Sequence, residues 1–471
     1  MKYLHLICTL LFGLAVLLFF GLAYPHHLHY QEQYQLFLFD STYLWDVVKH
    51  PGGVTDLLGR FCTQFFLFAW VGAAIIALLL SAVQLLTLRL INSQLSTLNS
   101  QLFYGLSFVP SFLLWLFLLD ENALLSGVWA VLLTLLVACL IVKLTSGWLR
   151  RILLIIAIPI LYILVGPVCF PIPIDSLWLG VHYYRYPTTF PWLLWAAAIS
   201  AFVIVGLVLM IRHHLKHSSH LSPLTSYLSF ALVAVVMGVL IWKNVNIKAE
   251  KVMKYDFMAC HQQWNRIIET VNKEKPNNQI GVTVQNLALA MRGMLLEHMF
   301  DYNQNSIHGL LPDVKEDATS PMPTAEAFYQ LGMINVAQRT VFEAQEAILD
   351  FQKSGRCYKR LAQTNLINGQ YGVARKYLTA LQKTLFYRDW ANETLLLLDN
   401  ENAIASHPEY GRLRQYAYNE DFYFSDHVTP EMLESLYYRN TDNRLAYQYL
   451  LAYCMLTGDK ERYNRITSKA L

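Results

Sequence analysis

Seven apolar runs, near residues 4–23, 65–88, 103–119, 123–144, 152–170, 191–211 and 224–242, dominate the first half of this chain. Each approaches the roughly 20 residues that a helix needs to cross about 30 Å of hydrocarbon. Lipid offers the backbone no hydrogen bonds, so helices are the expected spanning elements. The third and fourth runs are separated by Asp120, Glu121 and Asn122 alone, which predicts a tight turn at one membrane face. The longest polar interruption is residues 24–64, between the first and second runs.

Beyond residue 242 the pattern changes to polar helices with small residues at regular spacing. Tyr358, Leu361 and Ala362 are followed by Gly369, Tyr371, Ala374, Leu378 and Leu381. These types and offsets resemble a tetratricopeptide hairpin, in which small residues let two antiparallel helices approach and larger ones fill the seam. A second-helix pattern recurs 37 residues earlier as Gly332, Ile334, Ala337, Val341 and Ala344. The expected class is therefore all-α. A membrane domain of about seven transmembrane helices (residues 1–242) precedes an irregular TPR-like α-solenoid (residues 243–471) of roughly four to six hairpins. Such a solenoid offers a face to a protein partner, or else braces the membrane domain. The aromatic group Tyr416, Tyr418, Phe422, Tyr423, Phe424, Tyr437 and Tyr438 reads as solenoid core before it reads as a sugar-stacking platform.

Charge sharpens the division. Of 36 Lys and Arg, ten lie before residue 243, together with seven of the 33 Asp and Glu, which leaves 26 of each sign in the tail. The net +3 forms no basic block or stripe that would follow a phosphate backbone, so nucleic acid is not an expected partner. With the N-terminus inside, the inner loops hold seven cations (Lys2, Arg89, Lys143, Arg150, Arg151, Arg212, Lys216) and the outer loops three (Lys49, Arg60, Arg185). Positive residues favour the inside, so residues 24–64, residues 171–190 and the tail are expected on the outer face of a bacterial inner membrane. A cleavable signal peptide is the alternative for the first run, but that run is longer than a usual signal core. The seven cysteines are scattered singly and no Cys/His spacing suggests a metal or redox site, so no metal or other cofactor is expected.

The interruption at 24–64 is where chemistry is best sought. Helical spacing over residues 28–39 puts Leu36, Phe37 and Phe39 on a membrane-facing side and Gln31, Glu32 and Gln35 on a wetter one. A short helix over residues 42–49, stopped by Pro51, Gly52 and Gly53, precedes another that starts near Thr55 and runs into the second span. Asp46 with Lys49 and Asp56 with Arg60 are spaced for local ion pairs. Glu32 and Asp40 have no such partner and are the acids most available for work, although Asp40 also fits a helix N-cap. His26, His27 and His29 are metal-capable types, yet adjacent histidines after a helix end more often mark the interface. In the loop 171–190, His182, Tyr183, Tyr184, Arg185 and Tyr186 combine an interfacial aromatic belt with a guanidinium suited to a lipid phosphate.

Two resemblances follow from these residues. The stretch 32–39 (EQYQLFLF), then Pro51, Gly52 and Gly53, Asp56, Phe61, and residues 63–65 (TQF), resembles a family of uncharacterised bacterial multi-pass proteins, a domain of unknown function, over the whole chain. That likeness implies no activity. More loosely, the arrangement is similar to membrane glycosyltransferases of the GT-C fold, whose first outer loop carries short helices along the membrane and a catalytic acid near the end of the first span. The resemblance implies Glu32, or secondarily Asp40, as catalytic acid, with Gln35, His182, Tyr184 and Arg185 toward a polyprenyl-phosphate-linked sugar donor. It departs from that fold in having fewer spans and no paired DxD or DE in the loop. The competing expectation is a non-enzymatic, membrane-anchored scaffold whose solenoid recruits an envelope protein; transport is the remaining class.

Overall fold

A computed structural model describes residues 2–33, 35–94, 103–145, 147, 169, 174–179, 191–215, 224–313, 320–348, 352–418 and 428–470. The described elements are helical; the one isolated bridge joins Asn305 and Ile307. The chain divides into two compact units, Met1–Ile247 and Lys248–Leu471.

In the first unit α1 (Lys2–Leu18) passes through a π turn (Phe19–Ala23) into α2 (Pro25–Glu32). Then come α3 (Ser41–Val48), α4 (Gly53–Thr63), α5 (Ala69–Gln94), α6 (Val109–Phe117) and α7 (Leu125–Leu144). A short α8 (Ile174–Leu179) is followed by α9 (Trp192–Leu215) and α10 (Leu224–Asn244). Among the described residues five stretches are long and apolar enough to cross a membrane: His5–Ala23, Ala69–Ser93, Leu125–Leu144, Trp192–Met210 and Tyr227–Asn244. Of the seven runs, 152–170 lies outside the described residues except for Cys169. The run 103–119 forms a shorter helix, Gly105–Phe117, roughly 20 Å long at 1.5 Å per residue. Both its ends are fixed by packing and turn chemistry. A Cβ at Gly105 would lie 2.3 Å from the backbone of Ser229, and the predicted turn closes where Asp120 Oδ1 accepts from Asn122 N at 2.8 Å.

Polar side chains tie these apolar helices together where apolar packing gives little direction. Thr9 Oγ1 donates to Gln84 Oε1 at 3.0 Å, and Gln84 Nε2 donates to Ser107 Oγ at 2.9 Å, so α1, α5 and the turn before α6 share one buried chain of hydrogen bonds. Between α4 and α7 the contact is made by backbone. A Cβ on Gly59 would meet Ser126 N at 2.6 Å. Gly59→Ala is therefore expected to lower stability by about 1–3 kcal/mol, as overpacking does. A melting temperature in detergent equal to wild type would contradict this contact.

The second unit begins with α11 (Ile247–Cys260) and continues through α12 (Trp264–Glu274), α13 (Gln279–Met291) and α14 (Leu295–His298). Then follow α15 (Pro321–Leu331), α16 (Ile334–Glu346), α17 (Gly355–Ile367), α18 (Tyr371–Leu381) and α19 (Arg388–Leu395). The unit ends with α20 (Glu401–Ser406), α21 (Tyr410–Tyr416), α22 (Pro430–Arg439), α23 (Arg444–Thr457) and α24 (Lys460–Ala470). The helices α15 and α16, and α17 and α18, form antiparallel hairpins packed in tandem. Gly332 and Gly369 close them with φ of +92° and +73°, a left-handed conformation that suits glycine. The small and apolar positions read from the sequence are the seams: Ala337, Val341, Ala374, Leu378 and Leu381 are fully buried. Of the aromatic group, Tyr437 is buried beside Tyr447 at 5.2 Å, Tyr438 is exposed, and Phe422, Tyr423 and Phe424 lie outside the described residues.

Candidate functional site

The loop 24–64 packs within the first unit and buries several of its polar groups. Pro25 opens α2 at a position where its missing N–H is no loss, and the helix ends at Glu32 instead of continuing to Phe39 as the periodicity suggested. The turn between α6 and α7 explains what α2 buries, because it presents carbonyls to it. His27 Nε2 donates to Leu118 O at 3.0 Å, and Gln31 Nε2 donates to Ala123 O at 3.1 Å. The expected wet side is thus overturned: Gln31, Glu32 and Gln35 are 4%, 7% and 2% exposed. Periodicity could not reveal this, since the acceptors lie about 90 residues away in the chain.

Burial depresses the His27 imidazole to about 4 from an ordinary 6.5, with the bond to Leu118 opposing. The ring is neutral in the fold and takes up a proton more readily in the unfolded chain. Its contribution to stability is therefore complete above pH 6.5 and is lost as pH falls toward 4, by up to about 3 kcal/mol. Hydrogen-exchange protection across residues 25–32, corrected for the intrinsic pH dependence of exchange, should fall over that window, and His27→Gln should flatten that fall. Equal protection at pH 7 and pH 4.5 would contradict it.

Past Glu32 the helix closes at Gln33, residues 35–40 carry no regular secondary structure, and an extended Asp40 caps the start of α3. That carboxylate accepts from Thr42 N at 3.0 Å and Tyr43 N at 3.1 Å, which is the N-cap use of Asp. Neither acid stands apart as expected, because Glu32 and Asp40 both have polar contacts in the fold. Gln35 Oε1 lies 3.3 Å from Thr63 Oγ1, which also lies 2.8 Å from Gly59 O. Its amide Nε2 is buried with no partner among the described residues.

The two expected ion pairs form. Lys49 and Asp46 meet at 2.6 Å on the surface. Arg60 holds Asp56 through Nε at 2.9 Å and a second nitrogen at 2.5 Å, with Asp56 buried and Arg60 nearly so. Burial pushes the Asp56 carboxyl upward while the guanidinium pulls against it. Arg60 also donates to the Tyr43 hydroxyl at 3.4 Å, and that hydroxyl donates to Leu36 O at 3.1 Å. One relay of hydrogen bonds therefore ties the stretch that carries Gln35 and Leu36 to α4. Helix α4 does not continue into the second span: a 3₁₀ turn (Gln64–Leu67) and an extended Phe68 separate it from α5.

His182, Tyr184 and Arg185 lie outside the described residues, so the geometry brings together the Glu32 side of the expected site alone. Among the described residues no three His, Cys, Asp or Glu side chains converge as metal ligands would.

The second unit holds a polar cluster that sequence reasoning missed. Arg356 grips Asp256 bidentately at 2.5 and 2.8 Å. One turn on, Arg360 pairs with Glu326 and lies 3.7 Å above the Tyr329 ring. The Tyr329 hydroxyl donates to Glu409 at 2.9 Å. The signal was present as Arg356, Arg360 and Gln363, a polar stripe at i, i+4 and i+7 on α17. It reads as a solvated face until α11, α15 and α21 are seen to cover it.

No curated protein and no solved structure matches the chain. A model of a Family of unknown function (DUF6057) matches residues 2–469, nearly the whole length, and the chain belongs to that family.

Proposed function

We propose that this protein is a GT-C-like membrane glycosyltransferase, or a closely allied glycan- or lipid-modifying enzyme of the bacterial cell envelope, that uses a lipid-phosphate-linked donor. The observation that carries the reading is Glu32: a carboxylate 7% exposed, at the end of α2 and one short helix beyond a π turn. An ionisable group kept from water beside a membrane span is a candidate for function, and π turns recur at such places. Asp40 caps α3, and the reading takes Glu32 as the base with Asp40 secondary.

In this reading Glu32 takes the proton of an acceptor hydroxyl as the sugar is displaced from its phosphate. Gln35 orients the acceptor, and Arg185 with His182 and Tyr184 holds the donor phosphate and eases departure of the leaving group. The membrane unit is read as about seven spans, with residues 152–170 among them. The N-terminus is then cytoplasmic and the tail periplasmic.

A second reading, a non-enzymatic TPR-like scaffold for envelope assembly, is favoured by the tandem hairpins α15–α18, which offer a surface for a protein partner. The test is Glu32→Gln beside Glu32→Ala in cells lacking the native copy, with protein level and surface glycan scored together. A changed glycan at unchanged protein level supports the enzyme. No change in either moves the assignment to the scaffold.

A further inference from the structure

The helix α4 is inside out by the standards of water. Its buried positions are Gly53, Thr55, Asp56, Gly59 and Thr63, whereas Val54 is 51% and Phe61 39% exposed, and Leu57 and Leu58 are partly so. Arg60 is turned inward, and its charge is neutralised and hydrogen-bonded by Asp56 and Tyr43.

A helix bathed in water has the opposite arrangement, because exposed apolar area is unfavourable and buried polar groups require partners. The outward apolar stripe does not stop at the end of α4. It continues through Phe65 and Phe68 (51% exposed) to Trp70 (50%) and Leu78 (71%) on α5, one of the helices long and apolar enough to span. On α3, by contrast, the exposed Asp46 and Lys49 pair marks a wet surface.

We propose that the outer face of α4, from Val54 to Phe68, is seated in the hydrocarbon of one bilayer leaflet, continuous with the lipid-facing side of α5. The partner is the lipid itself. The consequence is one of depth: Asp56, Arg60, Thr63 and Gln35 then lie below the membrane surface, in an element with two charges and eleven residues that no span criterion selects. Re-entrant backbone is tolerated at such depth where its polar groups are turned into protein, as they are here.

The test places the photoreactive residue p-benzoylphenylalanine at position 54, 61 or, as control, 46 of the full chain. Each variant is reconstituted in vesicles of phosphatidylcholine and phosphatidylglycerol (about 3:1), and adducts are identified by mass spectrometry after irradiation. Lipid acyl adducts at 54 and 61 at least fivefold above those at 46 are expected. Position 61 replaces one aromatic ring by another, and position 54 serves if that variant is not recovered. Lipid adducts no more frequent than at 46, or cross-links to a second copy of the chain in place of lipid, would overturn the proposal.

Discussion

On the reading proposed above, Glu32→Gln is expected to leave the protein at its wild-type level and to reduce product formation by about 10²-fold or more, the factor that a positioned general base contributes. The amide keeps the shape and much of the hydrogen bonding of the carboxylate, so a folding defect is not expected from it. Glu32→Ala removes both and leaves a hole at a site 7% exposed, so it tests folding as well as chemistry. A glycan profile altered by both variants, with Glu32→Gln still abundant, assigns the carboxylate a chemical role. If Glu32→Gln restores everything that Glu32→Ala loses, the side chain acts through packing and hydrogen bonding, and the enzyme reading fails at its central residue.

The largest structural effect is expected in the second unit. Arg356→Ala strands the Asp256 carboxylate, 8% exposed, without its bidentate partner. Breaking one side of a buried pair costs about 3–5 kcal/mol, a large part of the stability of a unit of this size. Hydrogen exchange should rise first in α11 and α17, which the pair joins. Replacing both residues together, as Arg356→Met with Asp256→Leu, should recover most of the loss, because no charge is then left buried alone. A single variant as stable as wild type in urea titration would show that the pair does not hold these helices together.

The extent to which the site was legible differs from residue to residue, and for physical reasons. The pairs Asp56 with Arg60 and Asp46 with Lys49 were readable because helical spacing fixes which side chains meet within one turn. The cap at Asp40 was readable as one of two uses for the same reason. The hairpins α15–α16 and α17–α18 showed in the sequence because small residues must line a close helical seam. The burial of His27, Gln31 and Glu32 was not readable. The acceptors of His27 and Gln31 sit in the turn after α6, and helical periodicity reports a face without saying which partner covers it. The same holds for Arg356 and Arg360, whose carboxylates come from α11 and α15.

By itself, then, the sequence determined what depends on neighbours in the chain. That includes an apolar half of helices against a charge-balanced half, the turn at Asp120, the short helices of the loop and the glycine-closed hairpins. Tertiary structure alone decided which face of each short helix is inside. It shortened the third run to Gly105–Phe117, broke the chain between α4 and α5 at Phe68, and turned the polar side of α4 inward. The reason is that a polar side chain is drawn to where its hydrogen bonds are met, and those partners are set by contacts between residues far apart in the chain.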